Sequence, residues 1–196
     1  MRPRRKGIAL YTKRTLRLVA SLGALAALTV AGASATAGAS PAPSAKATVI
    51  SMERDGRDLS FDGPKTVEAG TKLKLKNNTN PRQIGPHTFS LAHKKDFPKG
   101  RAAIKGCAKE LKGICGAIVK WHDVDVETGA IGENPVDVGK DGWNIEGSLK
   151  RKGDSWVSEK KGQTFAREVT ARPGKTLHFI CAVHPEMQGK IKVVEG

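Results

Sequence analysis

The stretch on which the reading turns is Leu177-His178-Phe179-Ile180-Cys181-Ala182-Val183-His184-Pro185-Glu186-Met187-Gln188-Gly189. Lys175 to Cys181 is apolar and β-rich, with the turn pair Pro173-Gly174 before it. After Gly189 comes Lys190-Ile191-Lys192-Val193-Val194, which reads as a closing strand. Between the two strands, Cys181, His184 and Met187 recur at three-residue steps. Singly, each has an ordinary reading: a buried thiol, a surface imidazole, a core methionine. Together they place a thiolate, an imidazole nitrogen and a thioether within seven residues. Pro185 keeps Cys181 to Met187 from being an ordinary helix, so the loop is free to turn these side chains toward one point. His178 falls on the strand face opposite Cys181 and points away from it.

Working outward, Pro86-His87-Thr88-Phe89 supplies a second imidazole at the start of a short run, His87 to Leu91. Two imidazoles and a thiolate make a trigonal plane, and a methionine serves as a long, weak axial ligand. That is the ligand set of a blue-copper electron-transfer site. The rest of the N-terminal half also reads as strands. Ala47 to Met52 carries Val49 and Ile50, and Leu59 and Phe61 alternate with polar neighbours. Thr71-Lys72-Leu73-Lys74-Leu75-Lys76 alternates cleanly until Asn77-Asn78 stops it. Short strands separated by Gly and Pro turns predict an all-β, antiparallel sandwich. No period of 20 to 50 residues marks a repeat architecture.

On these residues the chain resembles the cupredoxins, the small blue-copper family that includes plastocyanin, amicyanin and pseudoazurin. The Cys-x-x-His-x-x-Met spacing, followed by Gly and an alternating strand, is most similar to amicyanin and pseudoazurin; plastocyanin has a longer His-to-Met step. The resemblance covers roughly residues 47–91 and 155–196. It implies a Greek-key β-sandwich holding one copper ion at one end. By motif, His87 is the first imidazole ligand, Cys181 the thiolate, His184 the second imidazole and Met187 the axial ligand. It further implies single-electron transfer between redox partners that dock weakly on apolar surface around His184. In places the sequence departs from the family. Thr88 stands where many members have Asn, with a shorter hydrogen-bonding reach. Gln188 adjoins Met187, and glutamine is axial in some blue-copper proteins, but spacing favours Met187. His87 and Cys181 lie 94 residues apart, so a long, partly helical insertion occupies about 93–154.

Within that insertion Ile104, Cys107, Ala108, Leu111, Ile114, Cys115 and Ile118 form a helical stripe. On one unbroken helix Cys107 and Cys115 would stand about 12 Å apart, whereas a disulfide needs Cα atoms within about 7 Å. Pairing therefore requires the helix to stop near Gly113 and double back. An exported protein favours such a disulfide over two buried free thiols. From Trp121 to Lys152 the chain is rich in Gly and Asp and reads as a loop-dominated excursion. His93 and His122 have no ligand spacing and read as surface histidines.

The 196 residues carry 34 Lys and Arg against 19 Asp and Glu, a net charge of +15. Seven of the basic residues, and no acid, fall in residues 1–39, leaving 27 basic against 19 acidic residues, a net +8. With only 5% aromatics there is little to stack bases on, so nucleic acid is not the expected partner. An acidic docking surface on a redox partner fits the remaining charge. Residues 1–39 have the order of a secretory signal: basic to Arg17, uncharged from Leu18 to Ala33, then small-residue cleavage sites. Residues 40–46 read as a disordered leader, and 47–196 as the copper-binding domain. The expected product is an exported monomer, touching a membrane only if the signal is retained.

Three rival readings remain. An enzyme is disfavoured: there is no His-x-His pair, Cys181 is flanked by Ile180 and Ala182, and the loop has one cysteine. Zinc would suit Cys, His and His, although methionine is a poor zinc ligand. A copper carrier or storage protein would use the same ligands without passing electrons.

Overall fold

Alternation in Lys72-Leu73-Lys74-Leu75-Lys76-Asn77 can bury only one face. It forms strand β4 (Lys72–Asn77), with Leu73, Leu75 and Asn77 buried while Lys72 and Lys76 stay exposed. The computed structural model describes residues 48–125, 137–139 and 141–196. The expected signal (1–39) and leader (40–46) lie outside the described residues.

Beside β4 run β1 (Thr48–Asp55) and, at its other edge, β8 (Thr164–Glu168); β2 (Asp58–Asp62) pairs with β1. This gives a four-stranded sheet in the order β2-β1-β4-β8. The second sheet has the order β3-β10-β9-β5-β7-β6. Its strands are β3 (Thr66–Glu68), β5 (His87–Leu91), β6 (Asp137–Val138), β7 (Ser155–Ser158), β9 (Thr176–Ile180) and β10 (Gln188–Val194).

The two sheets share one core. Ile50, Met52, Leu73 and Leu75 from the first meet Phe89, Leu91, Trp156, Leu177, Phe179, Ile191 and Val193 from the second. Each large apolar side chain buried here stabilises the fold by about 1.5–3 kcal/mol. Phe61, Phe89 and Phe179 interlock: Phe61 stands edge-on to the other two at 5.7 and 5.2 Å, and those two stack at 4.6 Å. Gly189 lies opposite Phe179 in the β9–β10 register, and a Cβ there would come within 2.1 Å of the Phe179 ring.

The expectation of a sandwich holds, but not that of a wholly antiparallel one. β1 pairs with β4, and β10 with β3, in parallel. After β2 the chain crosses to the second sheet for β3. It then returns, so β4 re-enters beside β1 in the same direction instead of as the next hairpin arm.

The insertion folds as the cysteines required. Helix α2 (Gly100–Glu110) ends at Leu111 in the left-handed region, φ 49°. Gly113, φ 63°, then opens α3 (Ile114–Trp121). The reversal brings Cys107 and Cys115 into a disulfide with Cα atoms 5.3 Å apart. Phe97, Cys107, Ile114, Cys115, Ile118 and Trp121 form a second core against Ala92, Ile180 and Ala182. The end of β9 is thus gripped from two sides. Leu177, Phe179 and Cys181 face the sandwich, while Ile180 and Ala182 face the insertion. Among the described residues the excursion after Trp121 is loop apart from the short β6, yet it delivers Trp143 to the sandwich core, fully buried and 5.1 Å from Phe89. An isolated Trp in a Gly- and Asp-rich stretch has no periodicity to announce this.

Candidate metal centre

β5 and β9 are antiparallel neighbours, with Ser90 opposite Ile180 and Leu91 opposite Phe179. That pairing sets His87, the first residue of β5, beside Cys181, the first residue after β9. The loop beyond Cys181 is closed by its own backbone. Cys181 N–H donates to the Met187 carbonyl at 3.0 Å, and Met187 N–H to the His184 carbonyl at 2.8 Å. The closure folds His184 back over Cys181.

Three donor atoms converge. Cys181 Sγ lies 3.8 Å from His87 Nδ1 and 3.7 Å from His184 Nδ1, and the two nitrogens are 3.2 Å apart. A triangle with these edges has its equidistant point about 2.1 Å from each corner, within the roughly 2.0–2.3 Å of metal–imidazole and metal–thiolate bonds. Among the described residues this is the one group of three or more His, Cys, Asp or Glu side chains so disposed.

Each imidazole is fixed through its other nitrogen. Asn77 Oδ1 accepts from Thr79 N–H at 2.9 Å and from the Thr79 hydroxyl at 2.6 Å, while Asn77 Nδ2 donates to Ser158 Oγ at 3.0 Å. With its proton given to Asn77, Thr79 Oγ1 accepts from His87 Nε2–H at 2.8 Å. His184 Nε2–H donates to the Ile84 carbonyl at 2.8 Å. That carbonyl sits at the end of a single helical turn, α1 (Pro81–Ile84), which Asn80 caps by accepting from Arg82 N–H. Both rings therefore turn an unprotonated Nδ1 toward Cys181.

The electrostatics agree. Burial, and then the nearby His184, lowers the His87 pKa from 6.5 to about 4. Burial also lowers that of His184, against the opposing Ile84 carbonyl and Glu186. Burial pushes the Cys181 thiol up, opposed by hydrogen bonds from Thr88, His184 and Val183. Thr88 N–H and His184 N–H approach the sulfur at 3.3 and 3.4 Å. A neutral pair of imidazoles beside a sheltered thiol is a donor set that a cation would convert to a thiolate complex.

Of the residues read from sequence, His87, Cys181 and His184 are brought together. Met187 is buried in the same core as Cys181, with its backbone tied to Cys181 and His184. The Gln188 amide is engaged elsewhere: it donates to the Pro98 and Pro185 carbonyls and accepts from Lys94. Thr88 meets the ligand loop despite its short side chain, because Ala182 N–H donates to Thr88 Oγ1 at 2.9 Å. His178 lies on the far face of β9, its Nδ1 2.9 Å from Glu146. His93 stays at the surface, 38% exposed. His122 does not: it is 1% exposed, with Nε2 2.6 Å from Ser155 Oγ. It caps α3 directly after the buried Trp121, so the helix carries it inward against β7. Asn77, Thr79 and Ile84 carry no sequence signal that marks them as site residues; Asn77 reads only as the end of a strand.

No known family profile matches the chain, and no curated protein does. Several solved structures are similar. Auracyanin A, a "blue" copper protein from the green thermophilic photosynthetic bacterium Chloroflexus aurantiacus, is 19% identical over 74% of this chain and 97% of its own, with a TM-score of 0.36. Dithionite-reduced auracyanin from Roseiflexus castenholzii is 16% identical over 74% of this chain and 94% of its own, at 0.37. Auracyanin B is 11% identical over 74% and 88%, at 0.38. At these values the likeness carries no functional weight; the donor geometry has to.

Proposed function

We propose that this protein is an exported, monomeric type 1 copper protein that passes single electrons between redox partners. The observation that carries the reading is the triangle of His87 Nδ1, His184 Nδ1 and Cys181 Sγ, sized for one metal ion. Met187, buried on the same closed loop, would add a thioether as a fourth donor to the ion. A thiolate, two imidazoles and a thioether favour copper over zinc. Bound copper supplies a one-electron couple between Cu(I) and Cu(II).

The chain's own residues are arranged to suit that couple. His87 and His184 are anchored through Nε2, and Cys181 is gripped between two cores. The donors are therefore held against rearrangement between oxidation states. His184 and Val183 are only partly buried, which puts one ligand near the surface, with Pro185 beside it. Lys94, Lys95, Lys99, Arg101, Lys105, Lys109 and Lys112 are all exposed on the neighbouring insertion. Lys94 reaches Gln188 at 3.3 Å, so this basic face borders the ligand loop and suits a partner with an acidic docking surface. Among the described residues no helix is long and apolar enough to cross a membrane; export is proposed from the signal-like residues 1–39.

The test is the visible spectrum of the Cu(II)-loaded protein beside Cys181→Ser. An intense thiolate-to-copper band, absent from the variant and bleached reversibly by reductant, is expected. Tight copper binding without that band, or a band that does not return on reoxidation, would replace electron transfer with copper carriage or storage.

A further inference from the structure

The insertion and the ligand loop share a second, polar connection. We propose that His122, on the insertion, is a positioning residue for the metal-binding loop, acting through the hydroxyls of Ser155, Ser90 and Thr88. The proposal rests on the metal-site reading for its functional meaning, though not for its geometry. His122 Nε2 lies 2.6 Å from Ser155 Oγ, and Ser155 Oγ lies 2.6 Å from Ser90 Oγ. Ser90 then donates to Thr88 Oγ1 at 3.0 Å. Thr88 Oγ1 also accepts from Ala182 N–H at 2.9 Å, and Thr88 N–H donates to Cys181 Sγ at 3.3 Å. Every member is buried: His122 1%, Ser155 0%, Ser90 0% and Thr88 5% exposed.

The sheet builds this run. Ser90 and Ser155 are register partners across β5 and β7, so two hydroxyls face each other on adjacent strands. α3 delivers His122 to one end, and β5 delivers Thr88 to the other. Proton order follows from counting donors. Thr88 Oγ1 receives the Ala182 amide and the Ser90 hydroxyl. Ser90, having given its proton to Thr88, accepts from Ser155. Ser155, having given its own, accepts from His122 Nε2–H. The imidazole must then carry a proton on Nε2. Burial, with Lys152 nearby, favours the neutral form by lowering its pKa to about 4.

A packing role alone would be met by Ala or Val at the two serines without any polar group to satisfy. A fully ordered run instead locks three rotatable hydroxyls in one direction and fixes the acceptor that holds Ala182. Ala182 follows Cys181 directly, so orientation set at His122 reaches the thiol-bearing residue. Gln at position 122 could present an amide N–H in place of Nε2–H, whereas Phe would fill the space without a donor.

The experiment compares the wild-type protein with His122→Phe, Ser90→Ala and His122→Gln. Amide hydrogen exchange at Ala182, measured by NMR on metal-free protein, is the first readout. Exchange at Ala182 should be roughly tenfold faster in His122→Phe and Ser90→Ala, the size expected for weakening one buried hydrogen bond. Phe89 and Leu91 should be unchanged, and His122→Gln should restore the wild-type rate. The second readout is the thiolate-to-copper band of the Cu(II) forms, expected to shift in the first two variants and return in the third. Unchanged Ala182 exchange overturns the proposal, as does equal acceleration along all of β5 or a His122→Gln variant that behaves like His122→Phe. A wild-type protein with no such band defeats the copper reading, while Ala182 exchange still decides the hydroxyl run.

Discussion

Thr79→Val removes one hydroxyl and keeps the side-chain volume, and its consequences can be worked from three hydrogen bonds. The wild-type hydroxyl accepts from His87 Nε2–H at 2.8 Å and donates to Asn77 Oδ1 at 2.6 Å. In the variant Asn77 Oδ1 keeps the amide of residue 79 as a donor, at 2.9 Å in the wild type. His87, fully buried, loses its partner. One orphaned buried donor costs about 1–3 kcal/mol and the second lost bond about 1 kcal/mol, so the metal-free protein should lose roughly 2–4 kcal/mol. The His87 ring can escape part of that cost by moving its proton to Nδ1, which hides the lone pair that faces Cys181. Metal affinity should therefore fall about 10–100-fold, the usual effect of losing a partner that orients a ligand. Urea unfolding measures the first effect and competition against a copper chelator the second. Thr79→Ser keeps the hydroxyl and should stay near wild type in both. A Thr79→Val protein within 0.5 kcal/mol of wild type, with unaltered copper affinity, would refute the assigned role of Thr79.

Breaking the Cys107–Cys115 disulfide with a pair of serines frees a short loop and should cost about 2–3 kcal/mol in thermal or urea unfolding. The copper band should survive, because none of the donor atoms belongs to that loop; its loss would show that the insertion does more than brace Ile180 and Ala182. Gly189→Ala forces a methyl against Phe179, and a loss of roughly 1–3 kcal/mol by urea unfolding is expected for such overpacking; an unperturbed variant would mean that the ring swings aside freely. The pH dependence of metal-free stability should carry the mark of His122. Its pKa is about 4 folded against 6.5 ordinarily, so the unfolded chain binds the extra proton between those values. Stability from this group is fully present above pH 6.5 and is lost as pH falls toward 4. Urea titrations at several pH values should show a shallower acid loss in His122→Gln than in wild type, and equal slopes would contradict the buried neutral histidine.

The legible part of this protein is where chemistry and periodicity coincide. The convergence of Cys181 and His184 could be read because their spacing is local and their donor types are distinctive. The break between α2 and α3 was legible because a disulfide between Cys107 and Cys115 excludes a continuous helix. What escaped was held by tertiary contact. His122 looks like a surface residue until α3 turns it against Ser155. Asn77 reads as a strand end until Thr79 and His87 are placed beside it. β7 is buried along its whole length, so Ser155-Trp156-Val157-Ser158 has no alternation to reveal it. The parallel pairings depend on when the chain crosses between sheets, which no local pattern records.

X-ray absorption at the copper edge of the Cu(II)-loaded protein reads the donor set itself. Two nitrogens and one sulfur at about 2.0–2.3 Å are the expected result, with the sulfur lost in Cys181→Ser. A wild-type first shell of nitrogen and oxygen alone would contradict the assignment of His87, Cys181 and His184 as ligands.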